Sequence, residues 1–487
     1  MDDTAMKKAK TEAADYIESN QEIFVDISHQ IWQYAELSLK EYRSAELYCK
    51  ILKENGFTVK ENICGIATAF TGHYGSGKPV IGILAEFDAL SGLSQQGGAT
   101  EAKPIVAGGN GHGCGHNMLG AGSLAAAMAV KQYLEQTKKS GTIVFFGCPG
   151  EEGGASKAFM AREGIWRSLD AALTWHPGDT NEIVSGTCNS CIQVLYQFHG
   201  VAAHAASDPE QGRSALDAVE LMNVGVQFLR EHMISDARIH YSILNNGGIS
   251  PNVVQAEASV LYMIRAIAVK DTVALAARVD KIAAGAAMMT ETTFEKVFVD
   301  GTANTLPNTT LEKLLYKNMC EVGAPSYTSE ETAFADALYQ TYPHAACPAQ
   351  AGRLDKAIAA YVDEKTHHGA KSINDFVVPF LTTDAFTPGS TDVGDVSWQT
   401  PTAQIKTVTY PSGAPGHSWQ NVSCGVTSLG DKGLLYAGKV LACAAIELWE
   451  NPAILEEARA EFAKRKADGH GYVCPIPADV VPVAMEM

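Results

Sequence analysis

The stretch PVIGILAEFD, residues 79–88, decides the fold. Its apolar run is nearly continuous, the pattern of a parallel strand covered on both faces rather than of an antiparallel strand with one wet side. Further on, TIVFFGCP (142–149) is a second such strand with Glu151 and Glu152 directly at its end, and Ala171–Trp175 is a third that delivers His176. An alanine-rich helical pattern, Leu119–Tyr133, connects the first strand to the second. Strand and helix therefore alternate. That grammar predicts an α/β fold whose mostly parallel central sheet is flanked by helices. Open sheets of this kind place their chemistry where strands run out into turns, so Asp88, the glutamate pair and His176 are expected near one edge.

Upstream, residues 5–57 alternate helical patterns with polar breaks. The segment GHYGSGK (72–78) fits the spacing of a phosphate loop, but Pro79 stands where that loop needs a hydroxyl. A strand also follows where the loop needs a helix, so the segment reads as a strand-connecting turn.

Between the first strand and its helix lies GGNGHGCGHNMLGAG, residues 108–122. Its thiol and imidazoles, Cys114, His112 and His116, are potential ligands for a borderline metal such as zinc. The interleaved glycines let the backbone wrap closely around an ion. Cys188 and Cys191 form a lone CxxC without the second pair zinc would need, and read as buried thiols.

From about Cys191 the pattern changes. Strands at 192–198, 239–244, 258–267 and 293–299 and helices at 214–231 and 273–289 give the order β-α-β-β-α-β of a ferredoxin-like α+β unit. Two domains are expected: residues 1–187 with 306–487, interrupted by an inserted domain at 188–305. The chain then returns to helices (308–320, 330–340), an irregular stretch (341–388), the blocks GSTDVGDVSW (389–398) and GAPGHSWQ (413–420), and two final helices (432–449, 452–466).

A formal charge of -18 opposes nucleic acid or an anionic membrane as partner. No run of about 18 apolar residues suits a membrane span, and the polar N-terminus lacks the apolar core of a signal peptide. The eleven cysteines, scattered and odd in number, suit reduced thiols, and a cytoplasmic location is expected.

Taken in order, Cys114-Gly-His116, Glu151-Glu152, His176 and His417 strongly resemble the M20 metallopeptidase and amidohydrolase family. AEFDALSGL, CPGEEGG, ALTWHP, AAHAA, GGISPNVVQA and STDVGDVSW extend the likeness over nearly the whole chain. It is greatest to the branch holding the p-aminobenzoyl-glutamate hydrolase subunits. Asn117 supports that branch, because the broader amidohydrolases usually carry aspartate there.

The resemblance implies two divalent metal ions per subunit (Mn2+ or Zn2+), with ligands Cys114, His116, Glu152, His176 and His417. It implies Glu151 as general base and Asp88 as the residue orienting a ligand from behind. The inserted unit becomes a lid and dimerisation domain, whose His204 reaches a partner's active site to stabilise the oxyanion, while Asn252 and Arg265 hold the substrate carboxylate. The function implied is hydrolysis of p-aminobenzoyl-glutamate, a folate breakdown product, to p-aminobenzoate and glutamate. A dipeptidase or N-acyl amino acid amidohydrolase, and a catalytically silent binding subunit, are the alternatives. The partner implied is an identical chain or a related subunit.

Overall fold

The computed structural model describes residues 3–344, 347–468 and 471–484. Its strands run, in chain order, β1 (Thr58–Glu61), β2 (Phe70–Ser76), β3 (Val80–Ala85), β4 (Gly141–Gly147), β5 (Ala171–Gly178) and β6 (Glu182–Val184). They continue as β7 (Ser190–His199), β8 (Arg238–Asn245), β9 (Glu257–Ala266), β10 (Thr293–Thr302) and β11 (Thr402–Val408).

The larger sheet has the order β1-β2-β4-β3-β5-β11-β6. Its centre, β4-β3-β5-β11, is parallel, while β1, β2 and β6 pair antiparallel at the margins. Both faces of the parallel strands are covered. Ile81, Ile83, Phe145, Leu173 and Trp175 point to one side, where they pack with the helices His116–Thr137 and Ser428–Glu450. Leu84, Val144, Phe146 and Ala172 point to the other, against Phe159, Trp166 and Val396. A strand buried on both faces leaves no polar positions to alternate, which is why these segments read as continuous apolar runs. Truncating Phe145 or Phe146, one from each face, would cost about 3–5 kcal/mol.

The smaller sheet has the order β10-β7-β9-β8 and is antiparallel throughout. The helices Ala215–Arg230 and Val269–Thr290 cover one face through Val194, Tyr196, Val260, Tyr262 and Ile264. Strand and helix order match the ferredoxin-like expectation. Among the described residues, no helix is long and apolar enough to cross a membrane.

Several local expectations need correction. Gly72–Ser76 belong to β2 rather than to a turn, because this glycine-rich segment is held by backbone pairing to β4 and not by a side-chain pattern. β11 is a strand that the sequence pattern does not announce. Its threonines and Lys406 mask a segment that lies between β5 and the short edge strand β6. The stretch 341–388 contains the helices Gln350–Leu354 and Lys356–Lys365, the second started by Asp355, whose carboxylate accepts from the amides of Ala357 and Ile358. Finally, β5 continues to Gly178, so His176 sits inside the strand and not after it.

Candidate active site

β3, β4 and β5 are neighbours and parallel, so their carboxyl ends open on one edge. The loop ahead of the His116–Thr137 helix crosses the same edge. Gly115 makes the turn that separates Cys114 from His116. Its φ is 78°, and a Cβ there would lie 2.9 Å from both Pro177 and Met118, so only glycine fits. After β4 the chain turns back at Gly150–Gly154. Leu39 wedges against Gly154, where a Cβ would meet Leu39 Cγ at 2.7 Å.

This geometry brings together the ligand candidates. Potential ligand atoms of Cys114, His116 and His176 lie within 4.8 Å of one another, as do those of Cys114, Glu152 and His417. Cys114 belongs to both groups. A third set, Glu86, His116 and Glu151, meets the same criterion. His112 is engaged elsewhere: its Nε2 lies 3.1 Å from the carbonyl of Ile31, and it joins none of these groups.

Hydrogen bonds orient each ring. His116 Nδ1 donates to Asp88 Oδ1 at 2.8 Å, which leaves Nε2 as the nitrogen facing the cluster. His176 Nδ1 donates to the carbonyl of Pro177 at 2.7 Å, and its Nε2 stands 3.4 Å from Cys114 Sγ. His417, held at a left-handed φ of 51°, approaches Glu152 Oε1 at 3.3 Å. Asp88 organises more than one element, since its Oδ2 also accepts the Ser38 hydroxyl (2.8 Å) and the Glu152 amide (3.0 Å). Burial opposes ionisation of Asp88, but its bond and attraction to His116 and these further donors bring its pKa down to about 2.

The donors left over fit a cation. Among the described residues, buried His116 Nε2, Glu152 Oε1 and Glu86 Oε2 find no hydrogen-bond partner, their nearest neighbours being one another and His417 at 3.3 Å. Burial opposes the charge of His116, but Cys114 and Asp88 outweigh it and raise its pKa well above the usual histidine value, so a proton or a metal ion on Nε2 faces Glu86 Oε2, 3.3 Å away. Two acceptors at that distance require a positive charge between or upon them. Thiolate, imidazole and carboxylate together suit a borderline divalent ion such as zinc, and manganese among harder ones. Burial and then His116 push the pKa of His176 down to about 4, so its lone pair is also free at neutral pH.

Glu151 lies beside this cluster. Burial and the charges of Glu86, Glu152 and Asp392 raise its pKa well above the usual range, the direction that strengthens a carboxylate as a proton acceptor.

The other candidates lie on the smaller sheet and the loops joining its elements. His204 is exposed and forms an isolated bridge to Val253, and the amide of Ala205 donates to the Asn252 carbonyl at 3.0 Å, so His204 and Asn252 occupy touching loops. Arg265 is half-buried on the sheet face the helices leave open, with its guanidinium against Met263 Sδ. Among the described residues, no hydrogen bond or ion pair joins these three to the cluster, so the structure does not bring the two sets together.

Several charged residues at the site have no role assigned from the sequence, although Glu86 and Asp392 stand inside its AEFDALSGL and STDVGDVSW blocks. Glu41, fully buried, accepts the Gly150 amide (2.8 Å) and the Thr68 hydroxyl (3.0 Å) and so fixes the turn that carries Glu151. Glu86, Lys157 and Asp392 form a buried chain of charges behind His116. A charge within an apolar run, Glu86 after β3 or Lys157 in SKAFMAR, is the available signal, because such a charge must find a partner.

The pattern of peptidase family M20/M25/M40 matches residues 82–421. One of the p-aminobenzoyl-glutamate hydrolase subunits of Escherichia coli (strain K12) is 45% identical over 475 residues, 96% of this chain and 97% of that protein. The Xaa-Arg dipeptidase of Homo sapiens is 27% identical over 66% of this chain and 73% of its own length. A crystal structure of the aminobenzoyl-glutamate utilization protein of Klebsiella pneumoniae superimposes with a TM-score of 0.58 over 90% of this chain and 98% of that one, at 15% identity, a likeness of fold alone. A match of that extent, on a fold that gathers thiol, imidazole and carboxylate at one sheet edge, makes this chain a member of peptidase family M20/M25/M40 and a metallohydrolase.

Proposed function

We propose that this chain hydrolyses the amide bond of p-aminobenzoyl-glutamate, releasing p-aminobenzoate and glutamate. The observation that carries the reading is the 45% identity, end to end, to a protein named as a subunit of that hydrolase. Cys114, His116, Glu152, His176 and His417 are the proposed ligands of two divalent ions, with Cys114 common to both groups. Manganese or zinc, when bound, would supply Lewis acidity toward the amide carbonyl and a water of lowered pKa.

The chain's own groups have separate tasks. Glu151 would take the proton of the attacking water on its carboxylate and deliver it to the leaving amine nitrogen. Asp88 keeps His116 in the tautomer whose Nε2 is free, and Glu41 keeps the Glu151 turn in place. A catalytically silent subunit is not favoured, because every one of these residues is present.

Residues 188–305 are proposed as a lid and dimerisation domain inserted in a catalytic domain formed by 1–187 and 306–487. Two features support an interface there. β8 is an edge strand with nearly all its residues exposed, and Leu221, Val224 and Phe228 line an open face of the helix behind the sheet. The partner is a second copy or a related subunit. Across that interface His204 would reach the neighbouring site and stabilise the oxyanion, with Asn252 and Arg265 holding a substrate carboxylate; a guanidinium suits that by its forked donors. The related human dipeptidase keeps a second reading in view, a dipeptide or N-acyl amino acid as substrate.

The deciding assay is release of glutamate from p-aminobenzoyl-glutamate by the purified chain with added manganese, beside a panel of dipeptides and acyl amino acids. Preference for the aminobenzoyl compound is the expected result. Activity confined to the panel would move the substrate to the second reading. No activity on any compound, alone or with a related subunit added, would overturn the proposal.

A further inference from the structure

His417 is the candidate ligand that burial does not fix. Its side chain is 54% exposed, whereas those of His116 and Glu152 are 0% and 10% exposed. His116 and His176 each have an orienting acceptor behind the ring, Asp88 and the Pro177 carbonyl. Among the described residues, Glu152 is the one hydrogen-bond or ion-pair partner found for the His417 ring. Its backbone also sits at φ 51°, a region that a non-glycine residue keeps only where its surroundings hold it. Placement of this ring therefore falls to the loop that carries it.

That loop is fastened to the strand holding His176. Asp179, just beyond His176, accepts the Gly413 amide on Oδ2 at 2.8 Å. The Tyr410 hydroxyl donates at 3.3 Å to the Pro177 carbonyl, the oxygen that orients His176, and the Thr409 amide donates to the Gly178 carbonyl at 2.8 Å. Asn374, fully buried, donates to the Asp179 carbonyl (2.6 Å) and to the Ser412 hydroxyl (3.0 Å), so the anchor is itself held. On the far side of His417, Asn421 Nδ2 donates to the Gly113 carbonyl at 3.2 Å. Residues 415–417, between these ties, are exposed.

We propose that Asp179 is a positioning residue: by gripping the Gly413 amide it sets the loop that presents His417, and so governs the ion shared by Cys114, Glu152 and His417. The ion at Cys114, His116 and His176 does not depend on it, because His176 lies inside β5 in register with Lys406 of β11. A carboxylate behind a ligand commonly bonds the ring itself, as Asp88 does; Asp179 acts through the backbone of the loop. The inference rests on the ligand assignment proposed above.

The test compares Asp179→Ala with Asp179→Asn, each loaded with manganese and dialysed against graded chelator. Asp179→Ala should bind one of the two ions about tenfold more weakly and keep the other as the unaltered chain does. Its electron paramagnetic resonance should pass from the spectrum of a coupled manganese pair to that of single ions. Asp179→Asn, which keeps an oxygen for the Gly413 amide, should retain the pair, a rescue that a role for the charge alone would not give. Asp179→Ser guards against an alanine chain that misfolds, and circular dichroism of the metal-free chains checks the fold. Both ions kept by the alanine and serine chains, both weakened together, or an asparagine chain no better than alanine overturns the proposal. His417→Ala in the same assay checks the ligand assignment separately: if that chain keeps both ions, or the unaltered chain binds only one, the assignment fails on its own.

Discussion

Asp88 Oδ1 stands 2.8 Å from His116 Nδ1, with both side chains fully shielded from solvent. One carboxylate thereby selects the tautomer of a histidine that opens a long helix crossing the core, and its second oxygen ties in Ser38 and the Glu152 amide. Replacing Asp88 by asparagine keeps the shape but removes the charge that makes Nδ1 the protonated nitrogen. Metal affinity should drop by about 10–100-fold, measured as metal content after dialysis against graded chelator, with the fold retained by circular dichroism.

Glu151 and Glu152 are adjacent in sequence, and the proposal gives them separate roles. Glu151→Ala should abolish turnover while metal content stays intact, whereas Glu152→Ala should lose metal along with activity. Elemental analysis beside the glutamate-release assay tells them apart. Near-normal activity in Glu151→Ala would remove it from the proton-transfer role.

Among the described residues, no hydrogen bond or ion pair joins His204 to the cluster of its own chain, which suits a residue serving a neighbour. A His204→Ala chain and a Glu151→Ala chain, each inactive, should recover activity when mixed and allowed to exchange subunits. About a quarter of the normal activity would follow from random pairing, since half of the dimers are mixed and each carries one complete site. No recovery despite proven exchange would remove the shared site.

Glu461 supplies a pH dependence through groups other than the candidate ligands. Its carboxylate accepts the amides of Thr309 and Thr310, at 2.9 Å each, and the Arg465 guanidinium at 2.8 Å, fastening one helix start to another helix. Burial opposes its charge, but these donors, the Thr310 amide foremost, lower its pKa from 4.5 to about 2. The folded pKa lies below the unfolded one, so the stabilisation is complete above about pH 4.5 and is lost as pH falls toward 2. Glu461→Gln should therefore unfold more readily by about 2 kcal/mol at pH 7, and the gap to the unaltered chain should close in acid. Denaturant titrations at several pH values measure it.

By itself the sequence determined whatever burial writes into local pattern. Continuous apolar runs at β3, β4 and β5 announced parallel strands, and the β-α-β-β-α-β order after Cys191 announced the smaller sheet with its two helices. The candidate ligand types were legible too, because Cys114, His116 and the Glu151-Glu152 pair stand in glycine-rich turns beside those strands. Only the tertiary structure decided which distant groups meet. It set β11 between β5 and β6, brought His417 to Glu152, left His112 outside the cluster, and joined Lys157 to Asp392 across 235 residues. Sequence periodicity records which face of an element is buried; the partner of a buried charge depends on how separate elements pack, and no local spacing carries that information.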